Sequence, residues 1–387
     1  MTVHSRMSAA GPSAAQDRPQ VTELRLSAFA GHRATVLPLG PMTLLTGPSG
    51  SGKSSALGAY EALARLCAGA ELPEVFADPV ACVPERARAD GQRRRGFRIG
   101  CTVDGPAGAV RLDLAVQAEP ELRVVGERLT RGGLVLLETA LRDPGRRVVQ
   151  AAWHTAGAAP VTRAPMPDDR LGTALVPLRV AGKTDGQRLV LAAAEQVVVA
   201  LRSAYACDPR PSRMRAPVPA GLIGSGRLLS GCDNLAEVLW RTRAECAVRH
   251  AMLVSAVRSG CAGPVADVSA EEVEDGTVHA FIDRGGGVRT PLARLGDGEL
   301  RYLALALVLL TGPGVLAVDP VAEVPLAYQT LTVLADGLDR RMDARQARTL
   351  GELAARTCGR GHIRLVGAVG DASWATDAGA SVVDLEP

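Results

Sequence analysis

With 387 residues, 47% of them hydrophobic, the chain can bury one large α/β core with an elaborated insert, or two modest cores. A net charge of +3 is too small to announce a nucleic-acid partner, and eight cysteines without a CxxC pair or a Cys/His cluster argue against zinc and against a disulfide framework. No apolar run approaches the roughly 20 residues that cross a bilayer, which excludes a membrane bundle and, with no apolar core near the start, leads us to expect a cytoplasmic protein.

Residues 1–20 are rich in Ala, Ser, Gly and Pro and read as a disordered tail. From Val21 the sequence alternates, at Thr22, Leu24 and Leu26 and again at Val36, Leu37 and Leu39, so a small antiparallel β element is expected before the short strand "PMTLLT". Next comes "LTGPSGSGKSS". Gly47, Gly52, Lys53 and Ser54 satisfy G-x-x-x-x-G-K-[ST], and "SSALGAYEALARLC" follows with helical spacing. Strand, glycine loop and helix stand in the order a phosphate cradle needs, because backbone N–H groups and a helix N-terminus must face the anion together. Residues Gly47, Pro48, Ser49, Gly50, Ser51, Gly52, Lys53, Ser54 and Ser55 are the candidate ATP-binding loop, with Lys53 bridging phosphates and Ser54 a ligand of Mg²⁺. Only two lysines, Lys53 and Lys183, stand among 44 basic residues, which adds weight to Lys53. "VAGKTDG" around Lys183 lacks the upstream glycine and reads as a polar turn.

Six arginines between Arg86 and Arg98 form a basic loop, either solvated or in contact with nucleic-acid phosphates. Alternating strands "FRIGCTVDG" and "AVRLDLAVQ" close a first lobe over 21–114. Residues 115–285 read as a variable insert or lid: further strands, a Pro-rich linker near 160–168, and helices at "GQRLVLAAAEQVVVALRSAY" and "NLAEVLWRTRAECAVRHAMLVSAVRSG". The last lobe, 286–387, is expected to run through an apolar helix ending near Leu310, a strand Val315 to Asp319, helices "LAYQTLTVLADGLDRRM" and "ARQARTLGELAARTC", and strands "HIRLVGAV" and "ASVVDLEP". Such alternation implies an α/β fold with a mostly parallel sheet and flanking helices.

The segment "VTELRLSAFAGHRATVLPLGPMTLLTGPSGSGKSS" resembles the start of SMC/RecF-type ATPases, the ABC-like heads often grouped as bacterial AAA-family ATPases. In "TPLARLGDGELRYLALALVLLTGPGVLAVDP", Leu295, Gly296, Asp297, Gly298 and Glu299 stand where these heads carry an LSGGQ-like signature, with Gly296 in place of the usual serine. "LRSAYACDPRPSRMRAPVP" and "SGCDNLAEVLW" resemble middle segments of the single-chain members of this group. The resemblance implies a P-loop NTPase of ABC-ATPase-like type that binds Mg-ATP, with the signature meeting the γ-phosphate held by a second copy, hence a nucleotide-dependent homodimer. A DNA or protein partner is open. Asp319 is the expected second Mg²⁺ ligand, at the end of its strand. Pro320 follows it where the family carries a catalytic glutamate, which leaves Glu323 either to stand in or to play a packing role. The sensor histidine of the family is also missing from Ala368, Val369, Gly370 and Asp371. Slow ATP hydrolysis is the leading expectation, since a lost general base costs about 10²–10⁴ in rate. A non-hydrolysing ATP-gated scaffold and a P-loop phosphotransferase are the alternatives.

Overall fold

The computed structural model describes residues 18–156, 160–219 and 226–385, so most of the expected tail lies outside the described residues. In chain order the elements are β1 (Gln20–Phe29), β2 (His32–Pro38), β3 (Met42–Thr46), α1 (Lys53–Cys67), α2 (Leu72–Val75), β4 (Arg95–Asp104), β5 (Val110–Glu119), β6 (Arg123–Arg131), β7 (Leu134–Ala140), β8 (Val148–His154) and β9 (Val161–Pro167). They continue with α3 (Gly172–Arg179), α4 (Asp185–Arg202), β10 (Ala204–Cys207), α5 (Pro211–Met214), β11 (Val218–Pro219), α6 (Leu235–Glu245), α7 (Ala247–Gly260), β12 (Asp267–Glu272), β13 (Thr277–Gly285) and β14 (Val288–Pro291). The chain ends with α8 (Asp297–Leu310), β15 (Leu331–Ala335), α9 (Ala344–Cys358), β16 (Ile363–Ala368) and β17 (Ser381–Asp384).

Two large sheets organise these elements. One is an antiparallel sheet of eight strands ordered β2-β1-β4-β5-β6-β7-β8-β9; the other is a parallel sheet ordered β10-β15-β16-β3-β17. α1 and α4 lie between them, and their buried faces (Ala56, Tyr60, Leu63, Val190, Val197) share one core with Leu24, Ile99, Leu112 and Leu129 of the antiparallel sheet and Leu334 and Val366 of the parallel one. The opposite face of the parallel sheet is covered by α8 and α9, with Leu44, Val333 and Leu365 packed against Leu303, Leu307 and Leu350. α8 is buried on all sides from Leu300 to Leu309, which is why its sequence, Arg301 apart, is apolar all round and not amphipathic. A third, small sheet of β11–β14 packs on α6.

Four sequence expectations change. The boundary at 114 falls inside β5, and β5 to β9 continue the same sheet as β1, so the antiparallel layer reaches residue 167 and is not an insert. The Pro-rich linker near 160–168 is the edge strand β9, where Pro165 and Pro167 cost little because an edge strand need not donate on both sides. The helix expected over "LAYQTLTVLADGLDRRM" is instead β15, buried at every residue; Thr332 and Val333 supply the β-branched content that favours a strand. The strand expected from Val315 to Asp319 does not form, and only Leu316 bridges, to Leu228. Pro320 and Pro325 remove backbone donors there, and Gln329 Nε2 donates to the carbonyls of Val321 (2.8 Å) and Val324 (2.6 Å), folding the segment into a loop.

Candidate functional site

The C-terminal ends of parallel strands gather a fold's loops on one side, and here β3, β15 and β16 end around one cleft of about 440 Å³. β3 delivers the glycine loop, which reverses through Gly47, Gly50 and Gly52 at positive φ before α1 begins at Lys53. The β1–β2 hairpin braces this loop: His32 contacts Thr35 Oγ1 (3.1 Å) through Nδ1 and the Gly52 carbonyl (3.0 Å) through Nε2. Lys53 Nζ donates to the carbonyls of Gly47 (2.6 Å) and Pro48 (2.9 Å), so the ammonium lies over the loop at the N-terminus of α1. A cation, a ring of backbone amides and a helix dipole thus share one small volume, an arrangement suited to a polyphosphate.

β15 delivers the second half of the cleft. It ends at Ala335, and the next residue, Asp336, accepts through Oδ2 from Ser54 Oγ at 2.9 Å. The hydroxyl and carboxylate form an oxygen pair of the kind a hard divalent cation takes. Asp319, the residue expected there, lies elsewhere: its side chain is 74% exposed, pairs with Arg202 at 2.6 Å, and lines a separate cleft with Glu61, Arg65 and Arg210. Glu323 is exposed in the same loop and does not line the Ser54 cleft.

Beyond Asp336 the chain turns through Gly337 and Leu338 to Asp339. Its carboxylate accepts from the backbone N–H groups of Gly370 (3.0 Å) and Asp371 (3.1 Å), tying the turn to the end of β16. The residue after Asp336 is Gly337, and the end of β16 presents Ala368, Val369 and Gly370 to the cleft.

The five signature-position residues lie at the start of α8. Leu295 is buried, Gly296 is the exposed N-cap residue, and Glu299 Oε2 accepts from Gly296 N at 3.3 Å. Asp297 pairs with Arg215 (2.6 Å) and Arg341. At Gly298 the backbone is close: a Cβ there would lie 2.3 Å from the Arg341 carbonyl oxygen. Arg301, 2% exposed, links this helix to the cleft. It donates to the carbonyls of Gly337 (2.8 Å), Asp336 (3.3 Å) and Pro209 (2.6 Å), and pairs with Asp208 at 3.3 Å.

Comparison with solved structures matches this arrangement almost end to end. An SMC head bound to the C-terminal winged-helix domain of ScpA covers 94% of this chain and 94% of its own at 11% identity, with a TM-score of 0.53. An SMC head with an extended coiled coil, bound to the C-terminal domain of ScpA derived from Pyrococcus furiosus, covers 95% and 93% at 9% identity, with a TM-score of 0.50. The chain has the SMC-like head fold. No protein-family model matches it, and no curated protein matches it in sequence. Among the described residues, no helix of this SMC-like head is long and apolar enough to cross a membrane.

Sequence reasoning missed Asp336, Asp339 and Arg301. Asp336 had an equal rival in the sequence: "TVLAD" is a short apolar, β-branched run ending in a carboxylate, as "VLAVD" is, and only strand pairing separates the two.

Proposed function

We propose that this SMC-like head binds Mg-ATP between the 47–55 loop and the end of β15, and that bound nucleotide joins two copies of the chain. The observation that carries this reading is the approach of Ser54 and Asp336 to 2.9 Å in the cleft that also holds Lys53. In this reading Ser54 and Asp336 hold the cation, directly or through water, and the loop amides and Lys53 hold the phosphates. The exposed Gly296 and the amides behind it, at the N-terminus of a long buried helix, meet the γ-phosphate held by the other copy. The SMC heads above were solved with domains of ScpA, which adds a protein partner to the proposal beside the second copy.

Hydrolysis is slow in this reading. Gly337 offers no base, Ala368, Val369 and Gly370 offer no side-chain donor, and the Asp339 carboxylate is engaged by two backbone amides. The same observation favours a second reading, a regulator that binds ATP without turning it over. Phosphate release that disappears in Lys53→Ala supports the ATPase, and tight binding with no release supports the regulator.

Two measurements test the proposal. In analytical ultracentrifugation the wild type is expected to shift from monomer to dimer with saturating Mg-ATP, whereas Gly296→Asp binds ATP and stays monomeric. Aspartate is a favoured N-cap residue and a Cβ at Gly296 meets only Glu299 Oε2 at 3.8 Å, so the fold tolerates it, while its charge opposes a partner's triphosphate. A wild type that stays monomeric rules out the nucleotide-joined dimer. In ATP titrations with and without Mg²⁺, Asp336→Ala is expected to lose the Mg²⁺-dependent part of the affinity, about tenfold, and Asp319→Ala to leave it unchanged. The opposite pattern returns the metal site to Asp319.

A further inference from the structure

Arg340 is the second cation of the cleft. Among the described residues that line it, only Lys53 and Arg340 carry positive side chains; the first comes from the glycine loop and the second from the turn after β15. We infer that Arg340 is a specificity residue that reads the terminal phosphate of a nucleoside triphosphate, from the space beside the residue that follows Asp336. The inference rests on the nucleotide-binding reading given above.

The geometry at Gly337 carries it. This residue directly follows Asp336, has φ +58°, and a Cβ built on it would stand 2.7 Å from Arg340 Nε, 2.9 Å from Cζ and 2.9 Å from Nη2. The guanidinium therefore covers the space into which a side chain at 337 projects. A residue with a Cβ would displace the guanidinium from this position and adopt a backbone conformation that L-residues rarely take. Glycine at 337 and arginine at 340 are two parts of one arrangement, in which a planar cation lies over the residue that follows Asp336.

Arg340 is also positioned and available. Its own N–H donates to the Gly337 carbonyl at 3.0 Å, closing the turn, and the neighbouring Asp339 is fixed by the amides of Gly370 and Asp371. The side chain is half exposed, and its ion pair, with Asp208, is long at 3.9 Å, while Asp208 already serves Arg301 at 3.3 Å. A guanidinium whose donors have no hydrogen bond closer than this pair among the described residues, beside the glycine loop, suits paired charge-assisted hydrogen bonds to phosphate oxygens, which a point charge makes less well. Close to the aspartate that holds the metal, those donors discriminate a triphosphate from a diphosphate.

The test is calorimetric titration of the full chain with Mg²⁺ and either a non-hydrolysable ATP analogue or ADP. The wild type is expected to prefer the triphosphate. Arg340→Ala and Arg340→Gln should each weaken triphosphate binding by about tenfold with ADP binding little changed, and Arg340→Lys should retain part of the preference. Equal losses for both nucleotides, or no loss for either, overturn the inference and leave nucleotide binding standing. If the wild type binds neither nucleotide, the nucleotide-binding reading fails, and the inference with it.

Discussion

Lys53→Ala is expected to weaken Mg-ATP binding by at least about a hundredfold, measured by calorimetry or by displacement of a fluorescent nucleotide. The magnitude follows from what the ammonium does. Hydrogen bonds to charged groups contribute about 1.5–3 kcal/mol each, and the ammonium is a natural bridge between two phosphates. Lys53 is also the donor that draws the carbonyls of Gly47 and Pro48 together, at 2.6 and 2.9 Å. Removing it leaves two carbonyl dipoles turned toward an anion with no cation between them, so the loss exceeds that of one contact. Lys53→Arg separates these effects: it keeps the charge but not the shape, and is expected to recover only part of the affinity. If Lys53→Ala binds Mg-ATP as tightly as the wild type, the cleft is not the nucleotide site.

The second large effect lies away from the cleft. Glu127, on β6, is buried, and its carboxylate accepts from Gly172 N (2.6 Å), Thr173 N (2.6 Å) and Thr173 Oγ1. It supplies the cap that α3 lacks, since the residue at its N-terminus, Leu171, has no side-chain acceptor. Glu127→Ala is expected to destabilise the protein by about 3 kcal/mol or more in urea unfolding, because three buried donors lose their acceptor at once. Glu127→Gln keeps one acceptor oxygen and sets an amide against the remaining donors, so a smaller loss is expected.

The pH dependence supplies a separate check on Glu127. Burial raises its pKa above the usual glutamate range, and the bonds from Thr173 and Gly172 offset this only in part. Between the ordinary glutamate value and the raised one, the folded state therefore holds a proton that the unfolded chain has already released. Stability contributed by this group falls as pH rises from the ordinary glutamate value through the raised one, and Glu127→Gln lacks that dependence.

Much of the candidate site was legible because its chemistry is local. The glycine loop is one contiguous stretch whose spacing dictates its conformation, and the start of α8 is marked by Gly296 ahead of an apolar run. Asp336 was not legible, because "VLAVD" and "TVLAD" each show an apolar run closed by an aspartate. What separates them is pairing with β10 and β16, a property of distant residues. The extent of the antiparallel sheet failed for a related reason: β5 to β9 alternate as exposed strands do, and periodicity carries no record of which neighbour a strand joins. Gly337 and Arg340 were invisible for a third reason, that their relation is a close approach in space.

Arg301 gives the molecule a mechanical property. One planar side chain, 2% exposed, holds the carbonyls of Asp336 and Gly337 at one end of the cleft lined by Lys53 and Ser54 and belongs to the helix whose tip faces outward at Gly296. A buried guanidinium with several fixed acceptors bends little, so it transmits displacement as a strut does. If nucleotide and a second copy bind as proposed, the same few atoms couple the end of β15 to the outer tip of α8, so that a shift at one is felt at the other.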